Sequence, residues 1–483
     1  MTDARLFDDA GTPALELSGT GARPASVDLV GARARVSARL HGRGRTWRAV
    51  VPLQAARWGG PVLPLPSGEY RVEVPDADIS GLTLADTALP GLRAALSHGV
   101  VTIATRIDPV YVTGEGRAAI ERRYVGGKRE PLENAVFFES FYGRTAGCNP
   151  LAIDRELARV APAVTRYWSV VDLSVEVPEG AIAVVEGSPE WWRARGVSRL
   201  LVVNDWLRRR FVRRRGQRVL QTWHGTPLKR LALHRPGFDP RRALAVVRES
   251  RRWDVLLAQS PYAARVLSKA YAFVGRPIWV EGYPRDDSLA SAALGSETRR
   301  RLGIGDAERV LLYAPTWRDD RERMIDFVDA AALARSADAV VLVRGHTRTL
   351  LPGTDAAGPR VLDVTGFPDT SALLAAADAL VTDYSSVMFD FAITGKPMYF
   401  LVPDLEHYRG ELRGFYFDLL DLAPGPVVRS QADLERALAD FDPAIFAERY
   451  ERFRALFAPR DDGRAAERVV ARLLDQGFVT RGG

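Results

Sequence analysis

From Ala135 onward, short apolar runs alternate with amphipathic stretches of helical period, and this alternation points the chain to a parallel α/β architecture. A strand flanked by crossover helices is covered on both faces. It therefore reads as an unbroken apolar run. Val136-Phe137-Phe138 is the first such run, and 181–185, 199–203, 219–223, 255–258 and 278–280 follow. A second series reads 310–314, 339–343, 379–382 and 398–401, and residues 435–474 have helical period. The polar stretch 296–301 reads as the linker between the series. The expectation is two tandem Rossmann-like units, over residues 133–292 and 300–483, facing a cleft.

Residues 1–115 have a different pattern. Segments 32–40, 46–53, 69–74 and 99–104 have strand character and lie between Gly and Pro clusters, as in a small β-sandwich or barrel. His41 and His98 are isolated there and read as structural. This β-rich part is expected to be an accessory or interaction domain. With 483 residues, about three domains are expected from a prior of ~150 residues each.

The 67 Lys and Arg exceed the 60 Asp and Glu by seven, which favours an anionic partner: a phosphate polymer, a nucleotide or an anionic membrane surface. The single cysteine, Cys148, excludes an intramolecular disulfide framework and a cysteine metal site. A reducing, cytoplasmic setting is expected. The first residues, Met1-Thr2-Asp3-Ala4-Arg5, lack the pattern of a secretion signal. No apolar run approaches the ~20 residues of a membrane span, so any membrane contact is expected to be peripheral.

Polar clusters fall at the ends of the apolar runs, where open α/β sheets bind ligands. Val219-Leu220-Gln221 leads through Thr222-Trp223-His224-Gly225 into Thr226-Pro227-Leu228-Lys229. Thr226 is a good N-cap and Pro227 suits a first helical position, so a helix is expected to start there. His224 then sits at a strand end beside a helix N-terminus, Gly225 permits close approach, and Lys229 adds a cation. Two readings of His224 stand side by side: a proton-transferring residue beside a phosphate ligand, and a buried structural histidine.

In the second series, Pro315-Thr316-Trp317-Arg318, Arg344-Gly345-His346-Thr347 and Asp383-Tyr384-Ser385-Ser386 each follow a strand. The last opens a short helix with a serine cap and closes at Gly395. Ser385 and Ser386 can cradle a diphosphate, and Arg318 and Arg344 can fork onto phosphate oxygens. The bland alternatives are simple capping and surface ion pairs. Residues 365–369 can line a nucleotide pocket or form an ordinary turn. No phosphate-binding P-loop, dinucleotide fingerprint or His-Glu-x-x-His zinc motif occurs, and no metal site is expected. The run Arg208-Arg209-Arg210-Phe211-Val212-Arg213-Arg214-Arg215 is read as a docking element for an anionic membrane surface or polyanionic acceptor.

Gln221-Thr222-Trp223-His224-Gly225-Thr226-Pro227-Leu228-Lys229 resembles the signature of the CDP-glycerol glycerophosphotransferase family, which includes teichoic acid primases and polymerases. Four further segments resemble that family in the same order: Phe138-Glu139-Ser140-Phe141-Tyr142-Gly143, Tyr313-Ala314-Pro315-Thr316-Trp317-Arg318, Arg344-Gly345-His346, and Val381-Thr382-Asp383-Tyr384-Ser385-Ser386. The likeness covers residues 133–480. Thr347 departs from it, because members often carry a proline after the second histidine.

The resemblance implies a GT-B fold, a CDP-glycerol or CDP-ribitol donor bound mainly by the C-terminal half, and peripheral association with the inner face of the cell membrane. It implies transfer of an alditol phosphate to a hydroxyl of a cell-wall or capsular polymer or its lipid-linked primer, with release of CMP. His224 and His346 are then the catalytic residues. Thr316, Arg318, Arg344, Asp383, Ser385 and Ser386 are on the donor side, and Glu139, Gly225, Thr226 and Lys229 position the acceptor. No cofactor beyond the donor substrate and no nucleic-acid partner is expected. Two other readings are a GT-B glycosyltransferase using a nucleotide sugar and a non-catalytic binder of anionic cell-surface polymer.

Overall fold

The computed structural model describes residues 3–43, 45–75, 77, 79–126, 130–316, 327–345, 360–412 and 414–482. They form two compact units, one of residues 1–130, 142–146 and 167–196, the other of 131–141, 147–166 and 197–483.

Among the described residues, the first unit holds two larger antiparallel sheets and a two-stranded one, Gln54–Ala56 with Val62–Pro64. One runs in the order Asp3–Asp9, Thr12–Thr20, Thr46–Pro52, Arg39–Arg43. The other runs Leu84–Leu89, Leu92–Ser97, Val100–Ala104, Gly68–Glu73, Asp28–Gly31, Arg35–Ser37. Leu15, Leu17 and Val51 from the first sheet join Leu29, Leu96 and Val101 from the second in one core. This is a sandwich. The stretch 32–40 is not one strand, as its alternation suggests. Arg35–Ser37 pairs with Asp28–Gly31, and after Ala38 the chain crosses to the other sheet. The hairpin of Asp3–Asp9 and Thr12–Thr20 turns at Ala10 and Gly11, both with positive φ (52° and 91°). An alanine there hides the turn from the sequence, because Asn-Gly and Asp-Gly are the usual signals.

The second unit holds two parallel sheets. Five strands pair in the order Glu133–Glu139, Ser198–Val203, Arg218–Gln221, Val255–Ala258, Ile278–Val280. The other sheet runs Val361–Asp363, Ala339–Val343, Arg309–Ala314, Ala379–Thr382, Met398–Leu401, Val427–Val428. Every residue of Ala339–Val343, Ala379–Thr382 and Met398–Leu401 is buried, the physical origin of their unbroken apolar character. In this sheet the order reverses between Arg309–Ala314 and Ala379–Thr382. The crevice for a ligand in such sheets opens at that reversal, beyond the strand carboxyl ends.

The stretch 296–301 is not a linker. It belongs to the helix Ala292–Arg301, which lies on the helix Thr370–Ala376. Arg299 Nε donates to the Ala376 carbonyl at 2.9 Å, and a Cβ on Gly295 would meet the Ala375 carbonyl at 2.7 Å. The polar face is solvated while Gly295 and Thr298 are buried.

The second unit thus has a first lobe around the five-stranded sheet and a second around the other; three helices, Gln431–Ala439, Pro443–Phe457 and Ala465–Asp475, follow the second sheet, and the last returns to the first lobe. Asp287 accepts the free N–H groups of Ala465 and Ala466 at 2.9 and 2.7 Å. Arg472 pairs with Glu281 at 2.7 Å. Thr480 and Asn134 exchange two hydrogen bonds, at 2.9 and 2.7 Å. Asp287 thus caps a helix that starts far away in sequence. Asp287→Ala is expected to lower the unfolding free energy by about 1–2 kcal/mol, the usual cost of a lost cap, measured by urea denaturation.

Candidate functional site

Strand Arg218–Gln221 ends two residues short of the expected run 219–223, and no helix follows. The Thr226 hydroxyl donates to the Gln259 side-chain carbonyl instead of capping. Beyond it the backbone finds tertiary partners: the Pro227 carbonyl accepts Tyr262 OH at 2.8 Å, and Leu228 O accepts Tyr416 N–H at 2.9 Å. Arg230 N–H donates to Gly414 O at 3.0 Å, and Lys229 bridges Phe415. These contacts replace the i→i+4 ladder, and tertiary context overrides the local cap signal.

His224 is held on three sides. Its Nδ1 lies 2.5 Å from the backbone carbonyl oxygen of Asn204. Its ring stacks on Trp223 at 4.8 Å and meets the edge of Phe141 at 5.6 Å. The Asn204 side chain accepts Phe141 N–H at 2.9 Å and donates to Ser140 Oγ at 3.0 Å, so three strand ends are tied together beside buried Glu139. Trp223 and Phe141 have φ of 54° and 46°. Non-glycine residues in that region cost free energy and cluster where a fold holds functional geometry.

Gly225 abuts the second lobe. A Cβ there would stand 2.8 Å from Ser386 Oγ, so the histidine loop and the serine pair adjoin. The helix Val387–Phe391 continues as a 3-10 turn, Ala392–Thr394, and ends at Gly395 with φ 71°. Ser386 does not cap it. Its own φ and ψ (−66°, −9°) are already helical and its side chain makes no capping hydrogen bond. Ser385 and Ser386 are both half-buried.

Asp383 Oδ1 accepts Thr316 N–H at 2.8 Å and Tyr384 N–H at 2.5 Å, joining the two loops at the strand-order reversal. Both Nη atoms of Arg344 are engaged by the protein: Nη1 by the carbonyls of Val364 (3.2 Å) and Phe367 (3.1 Å), Nη2 by Thr370 Oγ1 (2.9 Å). Burial pushes the Arg344 guanidinium down to about 10. Gly345 N–H donates to Thr365 Oγ1 at 3.0 Å, so the Arg344 cluster shapes the 365–369 turn. Trp317, Arg318, His346 and Thr347 lie outside the described residues.

Residues 208–215 form a loop without helix, in which Arg208, Arg210, Arg213 and Arg215 are exposed and Arg213 pairs with Asp254 at 2.5 Å. Among the described residues, no group of three or more His, Cys, Asp or Glu is placed to hold a metal ion, and no helix is long and apolar enough to cross a membrane.

A cluster of buried charge around Arg285 carries no role in the sequence reading. Arg285 Nη2 forks onto both carboxylate oxygens of Asp390 at 2.7 and 2.8 Å, and Nη1 donates to the His224 carbonyl at 2.8 Å. Asn149, fully buried, donates to the carbonyls of Thr222 and Trp223 at 3.2 Å and accepts Arg285 N–H at 3.2 Å. Asp286 is buried beside this pair, its Oδ2 accepting from Gln259 Nε2 at 3.2 Å. Burial, with Asp390 and Asp461 close by, pushes the Asp286 carboxyl well above the usual range. Burial also pushes Asp461 up to about 7, against a hydrogen bond from Tyr283 N–H. The sequence signal available was Arg285-Asp286-Asp287 at a strand end, but nothing in it names Asp390 as partner. A cavity of about 380 Å³ takes in Arg285, Cys148, Asp287 and Asp369, the last from the 365–369 turn, and none of the residues nominated as catalytic, donor-binding or acceptor-positioning.

A family profile described as CDP-glycerol:poly(glycerophosphate) glycerophosphotransferase matches residues 128–475. A teichoic acid poly(glycerol phosphate) polymerase of Bacillus subtilis (strain 168) is 34% identical over 377 residues, 72% of this chain and 50% of that protein. The chain thus spans half the length of that polymerase. A teichoic acid glycerol-phosphate transferase of Staphylococcus aureus (strain NCTC 8325 / PS 47) is 33% identical over 376 residues, 70% of this chain and 92% of that protein. A solved structure of the wall teichoic acid polymerase TagF, a histidine-to-asparagine variant soaked with CDPG, superposes with a TM-score of 0.69 at 28% identity. The match covers 76% of this chain and 96% of that one.

The pushed-up Asp461 sets a sign for stability against pH. Between its ordinary value of 3.8 and about 7, the folded chain holds a proton here that the unfolded chain has lost. This contribution is therefore fully present at low pH and lost as pH rises through that window. Asp461→Asn is expected to flatten the fall in unfolding free energy from about pH 4 to pH 7, read by urea denaturation across the range. An unchanged slope contradicts the assignment.

Proposed function

We propose that this chain, which belongs to the CDP-glycerol:poly(glycerophosphate) glycerophosphotransferase family, transfers glycerol phosphate or another alditol phosphate from a CDP-activated donor to an acceptor hydroxyl and releases CMP. The observation that carries the mechanism is the 2.5 Å contact between His224 Nδ1 and the Asn204 carbonyl. A carbonyl oxygen only accepts, so Nδ1 carries the proton and Nε2 is left with the lone pair. Nε2 takes the proton from the acceptor hydroxyl as its oxygen bonds to the β-phosphorus of the donor. The bond from that phosphorus to the CMP oxygen breaks, and CMP leaves with the electron pair. Such a transfer depends on positioning and charge stabilisation more than on covalent catalysis.

Ser385 and Ser386 hold the diphosphate, with Thr316 and the Asp383-braced loop beside them. Arg344 acts by shaping the turn against the nucleotide. Arg318 and His346 complete the donor side, His346 as the second catalytic histidine offsetting charge on the departing CMP. Glu139, Gly225, Thr226 and Lys229 set the acceptor side. The adjacency of Gly225 and Ser386 supports this division, since it sets the base beside the donor cradle. The acceptor is a cell-wall or capsular polyol phosphate or its lipid-linked primer, met at the inner membrane face through the exposed arginines of 208–215.

The test is CMP release from CDP-glycerol and CDP-ribitol, with and without a lipid-linked acceptor. His224→Ala is expected to lower the rate by on the order of 10²–10⁴, the usual worth of a positioned general base. Full activity in that variant removes His224 from the mechanism, and turnover with a UDP- or GDP-sugar alone moves the chain to sugar transfer. Gly225→Ala is expected to lower kcat/KM roughly 10- to 100-fold, because the new methyl group displaces Ser386.

A further inference from the structure

Six residues beyond His224, the chain enters a second cavity, of about 420 Å³, which none of the residues nominated from sequence lines. Its walls include Arg230, Arg409, Gly414, Phe415, Tyr416 and Asp418. The volume falls in the range of small-molecule sites, roughly 300–1,000 Å³.

The charges in it are not balanced. Arg409 Nη1 pairs with Asp418 Oδ2 at 2.7 Å, and Asp418 Oδ1 also accepts Leu420 N–H at 3.0 Å. Arg230 has no carboxylate partner among the described residues. Its stem lies over Gly414, where φ is +69° and a Cβ would come within 3.2 Å of Arg230 Cδ. That glycine is what lets the arginine lie flat against the backbone. Tyr416 OH accepts Leu231 N–H at 3.1 Å and stands 2.8 Å from His234 Nδ1. Burial, with Arg230 and Lys269 close by, holds the His234 imidazole below its ordinary value, so Arg230 remains the dominant cation.

The cavity is joined to both sides of the reaction centre. The short segment Gly225 to Lys229 connects Arg230 to His224, and six extended residues span at most about 20 Å. On the other side, the ring of Phe415 packs on Tyr384 at 5.3 Å, and Tyr384 directly precedes Ser385. Tyr384 also stacks on Tyr408 at 4.3 Å, above which Lys229 Nζ lies at 5.9 Å. An acceptor whose hydroxyl reaches His224 can therefore extend along Lys229 to Arg230. A polyol phosphate chain carries one anionic phosphodiester per repeat behind that hydroxyl.

We propose that this cavity is an acceptor subsite that takes a phosphodiester of the polyol phosphate chain a few repeats behind the attacking hydroxyl, with Arg230 as its principal cation and Arg409 beside it. The proposal rests on the transfer reaction given above. Arginine suits the role because its planar fork matches two phosphate oxygens at once. The subsite gives the enzyme a means to prefer an acceptor that already carries repeats over one that carries none.

The experiment compares Arg230→Gln and Arg230→Lys with the unaltered chain on three acceptors: a synthetic tetra(glycerol phosphate), a phosphate-free glycerol glycoside, and a short diphosphate-linked lipid analogue without repeats. Arg230→Gln is expected to raise KM for the tetra(glycerol phosphate) about tenfold or more, as loss of a charge-assisted contact does. KM for CDP-glycerol is expected to stay within about twofold. Arg230→Lys is expected to recover part of the loss. An equal rise for the phosphate-free acceptor, a shift in donor KM alone, or an effect confined to the diphosphate lipid overturns the assignment. If the unaltered chain releases no CMP from any CDP-alditol, the transfer reading has failed by itself. Titration of tryptophan fluorescence with tetra(glycerol phosphate) then decides the subsite: binding lost in Arg230→Gln supports it, and binding unchanged or absent from the outset overturns it.

Discussion

Arg285 is the charge on which the arrangement of the second unit depends. Its guanidinium is nearly enclosed, with only 10% of the side chain exposed, and it is shared between the two lobes. One nitrogen grips Asp390 on the helix behind Ser385 and Ser386, and the other holds the carbonyl of His224. Its own N–H is taken by Asn149, whose amide also ties down the two residues before His224. A buried pair of this kind adds little net stability against a well-packed apolar alternative. Removing one partner costs about 3–5 kcal/mol, because a bare charge is left behind. Specificity of arrangement is what the pair supplies. With Asp286 and Asp461 close by, the site also has more carboxylates than cations, and their raised proton affinity relieves the excess.

The parallel strands of the second unit were legible because their environment leaves one mark on the sequence: where both faces are covered, the central positions form an unbroken apolar run. The same logic fails for strands that do not satisfy its premise. Thr165–Val170 opens on Thr165 and Arg166 and carries Ser169 between Trp168 and Val170, and Val427–Val428 is only two residues long. In the first unit, Ala10 at a left-handed turn position hid a hairpin, and a single alternating stretch proved to serve two sheets. The expected helix at Thr226 and the expected linker at 296–301 failed for a common reason. Local signals were read as if the backbone had only itself for company.

The candidate site divides along the same line. His224, Gly225, Thr316, Asp383, Ser385 and Ser386 could be nominated because each falls at the end of an apolar run. Asn204 as the orienting group was not findable, since the atom that matters is a backbone carbonyl and any residue carries one. Arg285 and Asp390 stand 105 positions apart, and no periodicity links them. Arg344 was read as a phosphate clamp, whereas carbonyls and a threonine hydroxyl surround its fork. Residue type fixed its chemistry, but its partners depend on the fold.

The return of the last helix to the first lobe has a consequence for how the protein is made. Asn134 and Thr480 bond to each other across 346 positions of chain. Asp287 and Glu281 likewise wait for groups from residue 460 onward. Domains generally fold as units as they leave the ribosome, N-terminal parts first. Here the lobe translated first cannot be finished until the last helix has been translated, and at ~5–20 residues per second that interval is roughly ten seconds or more. The His224 loop is thus synthesised long before the lobe that carries it is complete, and a nascent chain holds no assembled centre until the helix Ala465–Asp475 has emerged.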